Sequence, residues 1–116
     1  MPAVGWLTIV EGPGRGCSLE IGIGFNSIGR AASNAISIDF GDEAISRSNH
    51  MKVAYDQIKN EYMAMLGDDT RNIPRVNEDA VYHPVRLKHG DLLTIGSTVL
   101  RFVPLCDDNF TWDNEG

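Results

Sequence analysis

Apolar and polar residues alternate along the chain in short runs that stop within about six residues, the length of an ordinary strand. Trp6-Leu7-Thr8-Ile9-Val10 opens the series, Cys17-Ser18-Leu19-Glu20-Ile21 repeats it, and Phe25 to Gly29 and Ala35-Ile36-Ser37-Ile38 continue it. A period of two sends successive side chains to opposite faces, so each run predicts a strand with one buried face. Between the first two lies Glu11-Gly12-Pro13-Gly14-Arg15-Gly16, whose glycines and proline predict a turn. His50 to Asp56 and Glu61 to Leu66 predict a hairpin closed by Gln57-Ile58-Lys59-Asn60, with Met51, Val53 and Tyr55 on one face. Asp91 to Ile95 and Thr98 to Val103 predict another, joined by Gly96-Ser97. Met51, Met63 and Met65, at strand spacing, read as core filler. No window holds a helical apolar stripe over three turns without a Gly or Pro, so helix content near nil is expected. About nine to eleven such strands, spaced by roughly eight to twelve residues, are the pattern of an all-β sandwich or barrel.

Size and charge narrow the picture. At 116 residues and 12.7 kDa the chain is one domain's worth of polypeptide, with 42% hydrophobic residues to build a core. Such a core does not need a disulfide, and Cys17 and Cys106 are expected to be free thiols. The N-terminus carries no basic, apolar leader and no apolar run is long enough to span a bilayer, which predicts a cytoplasmic protein. A net charge of −6 argues against nucleic acid or an anionic membrane as partner. That charge is uneven. Residues 107–116 hold Asp107, Asp108, Asp113 and Glu115 without a base, leaving 12 acidic against 10 basic groups, or −2, in residues 1–106. The expected organisation is therefore a folded domain over 1–106 and an acidic, poorly ordered tail over 107–116.

Three loop segments set arginines among small polar side chains: Gly29-Arg30, Ile45-Ser46-Arg47-Ser48-Asn49-His50, and Asp69-Thr70-Arg71-Asn72. Ser46 or Ser48 beside His50 is not enough for a hydrolase, which also needs an orienting carboxylate and an oxyanion hole, and no Gly-x-Ser-x-Gly turn is present. His50, His83 and His89 are scattered, and neither cysteine has a partner at metal-ligand spacing. Gly12 to Gly16 lacks the Lys-Ser/Thr and helix of a phosphate loop. No enzyme activity, catalytic residue, metal or cofactor is expected.

Taken in order, Ile28-Gly29-Arg30, Ser46-Arg47-Ser48-Asn49-His50, Asn72 ahead of Val76-Asn77, and Gly90-Asp91 ahead of Ile95-Gly96 resemble the forkhead-associated (FHA) domain pattern. The resemblance covers roughly residues 6–103. It implies an eleven-stranded FHA/SMAD-like β-sandwich whose loops at one end recognise phosphothreonine. A phosphothreonine carries about −1.5 to −2 charges and three acceptor oxygens, so it calls for a guanidinium with hydroxyl and amide donors converging on it. On the resemblance Arg30 is the anchor, and a serine supplies the hydroxyl, Ser46 in preference to Ser48. Asn49 is a further donor, Arg47 and Arg71 add charge, and Asn72 pairs with the peptide backbone. Gly29 and His50 would support the loop. Two departures stand out: the Ser-Arg-x-His segment is one residue longer here, and Ile73 and Glu78 occupy positions where the family has glycine. The expected partner is a phosphothreonine-containing protein or peptide bound by a monomeric, non-enzymatic module. The alternative is a degenerate scaffold binding its partner without phosphate.

Overall fold

A computed structural model describes residues 2–112. Its elements are eleven strands: β1 (Gly5–Glu11), β2 (Ser18–Ile21), β3 (Gly24–Gly29), β4 (Ile36–Ser37), β5 (Met51–Asp56), β6 (Glu61–Leu66), β7 (Arg75–Val76), β8 (Asp79–Ala80), β9 (Val85–Arg86), β10 (Leu92–Ile95) and β11 (Thr98–Pro104). They form two sheets, ordered β2-β1-β11-β10-β7-β8 and β4-β3-β5-β6-β9. Among the described residues only β3 and β4 pair in parallel. The sandwich the alternation predicted is thus present, and both hairpins sit where expected. Asn60 closes the β5–β6 turn at a φ of 54°, while Gly96 supplies a φ of 61° between β10 and β11.

Alternation explains the core. Leu7 and Ile9 of β1, Ile28 of β3, Met51 and Val53 of β5, Leu93 and Ile95 of β10, and Leu100 and Phe102 of β11 all point between the sheets. Their burial drives the two faces together at about 25 cal/mol per Å² of apolar surface. Met51 belongs to this core, but Met63 and Met65 do not. In β6 the inward positions are Tyr62 and Ala64, so the two methionines lie half-exposed on the outer face. One residue of register decides that, because side chains of a strand alternate strictly. Cys17 and Cys106 are free.

Tyr62 closes one end of the sandwich. Its ring packs between Tyr55 and Phe102, while its hydroxyl donates to the Val4 carbonyl and accepts the Cys106 N–H at 3.0 Å. Both chain termini leave from this end, since Gly5 pairs with Pro104 and Leu105 N–H donates to the Val4 carbonyl. Residues 107–112 of the segment expected to form a tail begin with a bridge between Asp107 and Phe110, and Trp112 Nε1 donates to the Ala3 carbonyl at 2.8 Å. Trp112 stacks edge-on against Phe110 and lines a small cleft with Ile23, Tyr55 and Gln57. The rest of that segment lies outside the described residues. Among the described residues no helix is long and apolar enough to cross a membrane, and no group of three or more His, Cys, Asp or Glu is placed to hold a metal ion.

Candidate functional site

The opposite end of the sandwich is built from three loops, after β3, before β5 and after β6, stitched together by backbone bonds. Arg30 N–H donates to the Ser46 carbonyl (3.0 Å) and Ala31 N–H to the Arg47 carbonyl (2.8 Å). This approach requires glycine at 29. A Cβ there would sit 2.7 Å from Asn34 Nδ2 and 2.8 Å from the Arg47 carbonyl oxygen, closer than real side chains come. Arg30 is half-buried, and its Nε donates to the Ile45 carbonyl at 2.6 Å. That bond fixes the guanidinium plane. Among the described residues its two terminal NH2 groups carry no hydrogen bond or ion pair, which leaves the fork free for an anion.

His50 is the buried hub. Ser46 N–H can only donate, and it does so to His50 Nδ1 at 2.8 Å. The ring hydrogen therefore sits on Nε2, which donates to the Asn72 carbonyl at 2.6 Å. One neutral imidazole thus spans two loops. Burial holds its pKa below the usual histidine range, outweighing the opposing pull of the Asn72 carbonyl, Asp69 and Asp42. The His50 backbone contributes too, with its carbonyl accepting from Thr70 Oγ1 (2.8 Å) and its N–H donating to the Ile28 carbonyl.

The longer Ser-Arg segment is absorbed by Asn49, which takes a φ of 46°, a left-handed conformation that asparagine tolerates better than most residues. Its backbone N–H donates to Asn34 Oδ1 and its Nδ2 to Asp68 Oδ2 (2.9 Å). Asn49 therefore braces the loop: its Nδ2, expected to face a ligand, gives one bond to Asp68, while among the described residues its buried Oδ1 has no hydrogen-bond partner. Gly67 is dictated by this turn, because a Cβ there would land on the Asn49 carbonyl. The extra residue also sorts the two serines. Ser46 is 0% exposed and its hydroxyl accepts the Arg71 N–H at 3.2 Å, so it faces inward and links two loops. Ser48 is exposed at the loop tip. The serine turned outward is thus Ser48 and not Ser46, the one the sequence favours, because the Arg71 N–H holds the Ser46 hydroxyl inside.

Arg47 and Arg71 are exposed, and Asn72 is exposed with its Nδ2 donating to the Ala44 carbonyl at 2.9 Å. The backbones of all seven anticipated ligand-facing residues thus meet at one end, five of them with side chains at or near the surface and Ser46 and Asn49 as struts. Ile73 does not need the glycine conformation: the chain runs into Pro74 with no positive φ at 73. Glu78 does take it, at 74°, following Asn77 at 49° in the tight β7–β8 turn.

Three supporting residues escape the sequence reading. Asn34 accepts from Asn49 N–H and donates to the Ala31 and Arg47 carbonyls at 2.7 and 2.9 Å. Asp42, buried, accepts from Ala44 N–H, Ser97 N–H and Thr98 Oγ1, the last two at 2.7 Å, and so ties the second loop to the β10–β11 turn. Thr70 is the third, through His50. The only sequence signal for any of them is a short polar side chain in a loop, which is also what a solvated residue looks like.

These features define a β-sandwich domain that presents polar, arginine-bearing loops at the end away from its termini. The FHA domain profile matches residues 26–96, which is more than half of the chain, and the chain belongs to the FHA domain family. Solved structures share the fold. An FHA domain from Arabidopsis thaliana superposes with a TM-score of 0.75 at 22% identity, over 94% of this chain and 92% of that one. Another, described in an analysis of phosphothreonine-dependent FHA domain interactions, gives 0.71 at 22% identity over 85% and 94%. EmbR of Mycobacterium tuberculosis, in complex with a low-affinity phosphopeptide, gives 0.69 at 22% identity over 88% of this chain and 24% of that one. No curated protein sequence matches the chain.

Proposed function

We propose that this chain is a phosphothreonine-dependent binding module without catalytic activity, formed by residues 1–106 and acting as a monomer on kinase-modified proteins in the cytoplasm. The observation that carries this reading is Arg30. Its Nε is locked on the Ile45 carbonyl, and its two NH2 groups are left to receive an anion at the loop cluster whose backbone also carries Arg47, Ser48 and Arg71. Charge-assisted hydrogen bonds from such a fork contribute about 1.5–3 kcal/mol. Asn72, held in place by His50 through its own carbonyl, retains a side-chain oxygen for the backbone of a bound peptide. Selectivity would then come from residues flanking the phosphothreonine.

The test is calorimetric titration with a degenerate phosphothreonine peptide library and its unphosphorylated counterpart. Arg30→Ala is expected to weaken phosphopeptide binding by about 10- to 100-fold, with a smaller fall in melting temperature because the Ile45 carbonyl loses its Nε partner. Ser48→Ala is expected to weaken it several-fold. Equal affinity for both libraries would overturn the proposal and leave the phosphate-independent scaffold.

A further inference from the structure

On the outer face of the six-stranded sheet lies a hollow of about 290 Å³ that shares no lining residue with the arginine-bearing loops. Its floor is Val10, Leu92, Thr94 and Val99, and its rim carries Glu11 and Glu78. Both carboxylates owe their position to a local irregularity. The β1–β11 register slips between Ile9 and Glu11, and this bulge places Val10 and Glu11 together over the hollow. Across the hollow Glu78 sits in the left-handed turn of β7–β8. Among the described residues neither carboxylate forms an ion pair. Two arginines share this face but do not line the hollow. Arg75 Nη1 donates to the Glu78 backbone carbonyl at 2.8 Å, and Arg101 extends toward Gly90.

The chemistry of this hollow selects its occupant. A purely aliphatic side chain would strip water from two carboxylates without compensating them, and an anion would be repelled. A bare metal ion would find two carboxylates over an apolar floor, short of the six to eight oxygens a calcium ion takes. A side chain with an apolar stem and a cationic tip satisfies both surfaces, its methylenes over Val10, Leu92 and Val99 and its charge toward the acidic rim. We propose that this hollow docks a lysine or arginine side chain of a partner polypeptide, at a second contact surface separate from the loop cluster.

The experiment is a titration of the isotopically labelled whole chain, followed by amide correlation spectra. The probe is acetyl-Ala-Lys-Ala-Lys-Ala-amide, with the peptide carrying Glu in place of Lys as control. The lysine peptide is expected to shift the amides of Val10, Glu11, Leu92, Thr94 and Val99, and to lose that effect at about 1 M salt, where the screening length is about 3 Å. Combining Glu11→Gln and Glu78→Gln is expected to raise the apparent Kd about three- to tenfold. Glu78→Gly serves as an independent variant: it removes the carboxylate while relieving the backbone, so binding weakens as melting temperature rises. Shifts confined to Asp107 and Asp108, shifts unchanged in the double variant, or no shifts at all would each overturn the proposal.

Discussion

A histidine with both ring nitrogens engaged inside a protein is committed to one protonation state, and at position 50 that state holds the site together. The Ser46 N–H occupies Nδ1, so a second ring proton would point straight at a donor. Because the folded pKa lies below the unfolded value of about 6.5, the unfolded chain binds more protons in that range, and stability rises with pH. The contribution is complete above about pH 6.5 and is lost as pH falls toward the folded value. Urea midpoints measured from pH 7.5 downward are expected to fall more steeply below about pH 6.5 in the native chain than in His50→Gln. Removing the ring altogether orphans the Ser46 N–H and the Asn72 carbonyl and leaves a void, so His50→Ala is expected to cost about 2–4 kcal/mol in denaturant unfolding. That Arg30 and His50 fall in one loop cluster was readable from residue order and the family resemblance. Which serine faces outward was not, because that depends on how Asn49 turns the chain and on the Arg71 N–H that captures the Ser46 hydroxyl.

Strands declared themselves where they were long enough to show a period. β1, β2, β3, β5, β6, β10 and β11 each run over four or more residues and were legible, as was the two-residue β4, because Ala35 to Ile38 extends its alternation beyond the paired residues. β7, β8 and β9 are two residues each, and no period can be read from two residues. They exist because their neighbours template them: Arg75 and Val76 pair with Thr94 and Leu93, and Val85 and Arg86 with Ala64 and Met63. The β7–β8 turn is further fixed by Asn77, whose Nδ2 donates to Asp91 and whose Oδ1 accepts the Leu92 N–H. This turn needs left-handed backbone at Glu78, which costs a residue with a Cβ roughly 1–2 kcal/mol. Glu78→Gly removes that cost but adds freedom to the unfolded chain, so a net gain of about 0.5–1 kcal/mol is expected. A thermal melt checks it. Gly67→Ala should show the reverse, since the added Cβ meets the Asn49 backbone, which has no room to move without breaking the bond to Asn34.

At the scale of the molecule the two ends have different jobs. One end gathers the loops on a frame of buried polar residues, Asp42, Ser46 and His50. The other gathers the termini around the Tyr62 hydroxyl, which burial keeps un-ionised by raising its pKa far above the usual tyrosine value. Tyr62→Phe leaves the packing but reduces the Cys106 N–H to its long 3.4 Å bond to the Val4 carbonyl, and is expected to destabilise by about 1–2 kcal/mol without affecting the proposed peptide binding at the far end. Parallel melting and peptide titrations separate the two effects. The overall charge of −6 belongs mostly to this terminal end and beyond it, with four acids in residues 107–116. That is why an acidic chain presents arginines at its loops. The placement of the termini also fixes how the domain answers a pull. β1 and β11 are antiparallel neighbours whose outermost pair, Gly5 and Pro104, is where both ends leave. Tension between the ends therefore acts along the inter-strand hydrogen bonds, opening them one after another instead of shearing them together. Under mechanical load the sandwich would unzip from Tyr62 inward, and the loops at the other end would be the last to feel it.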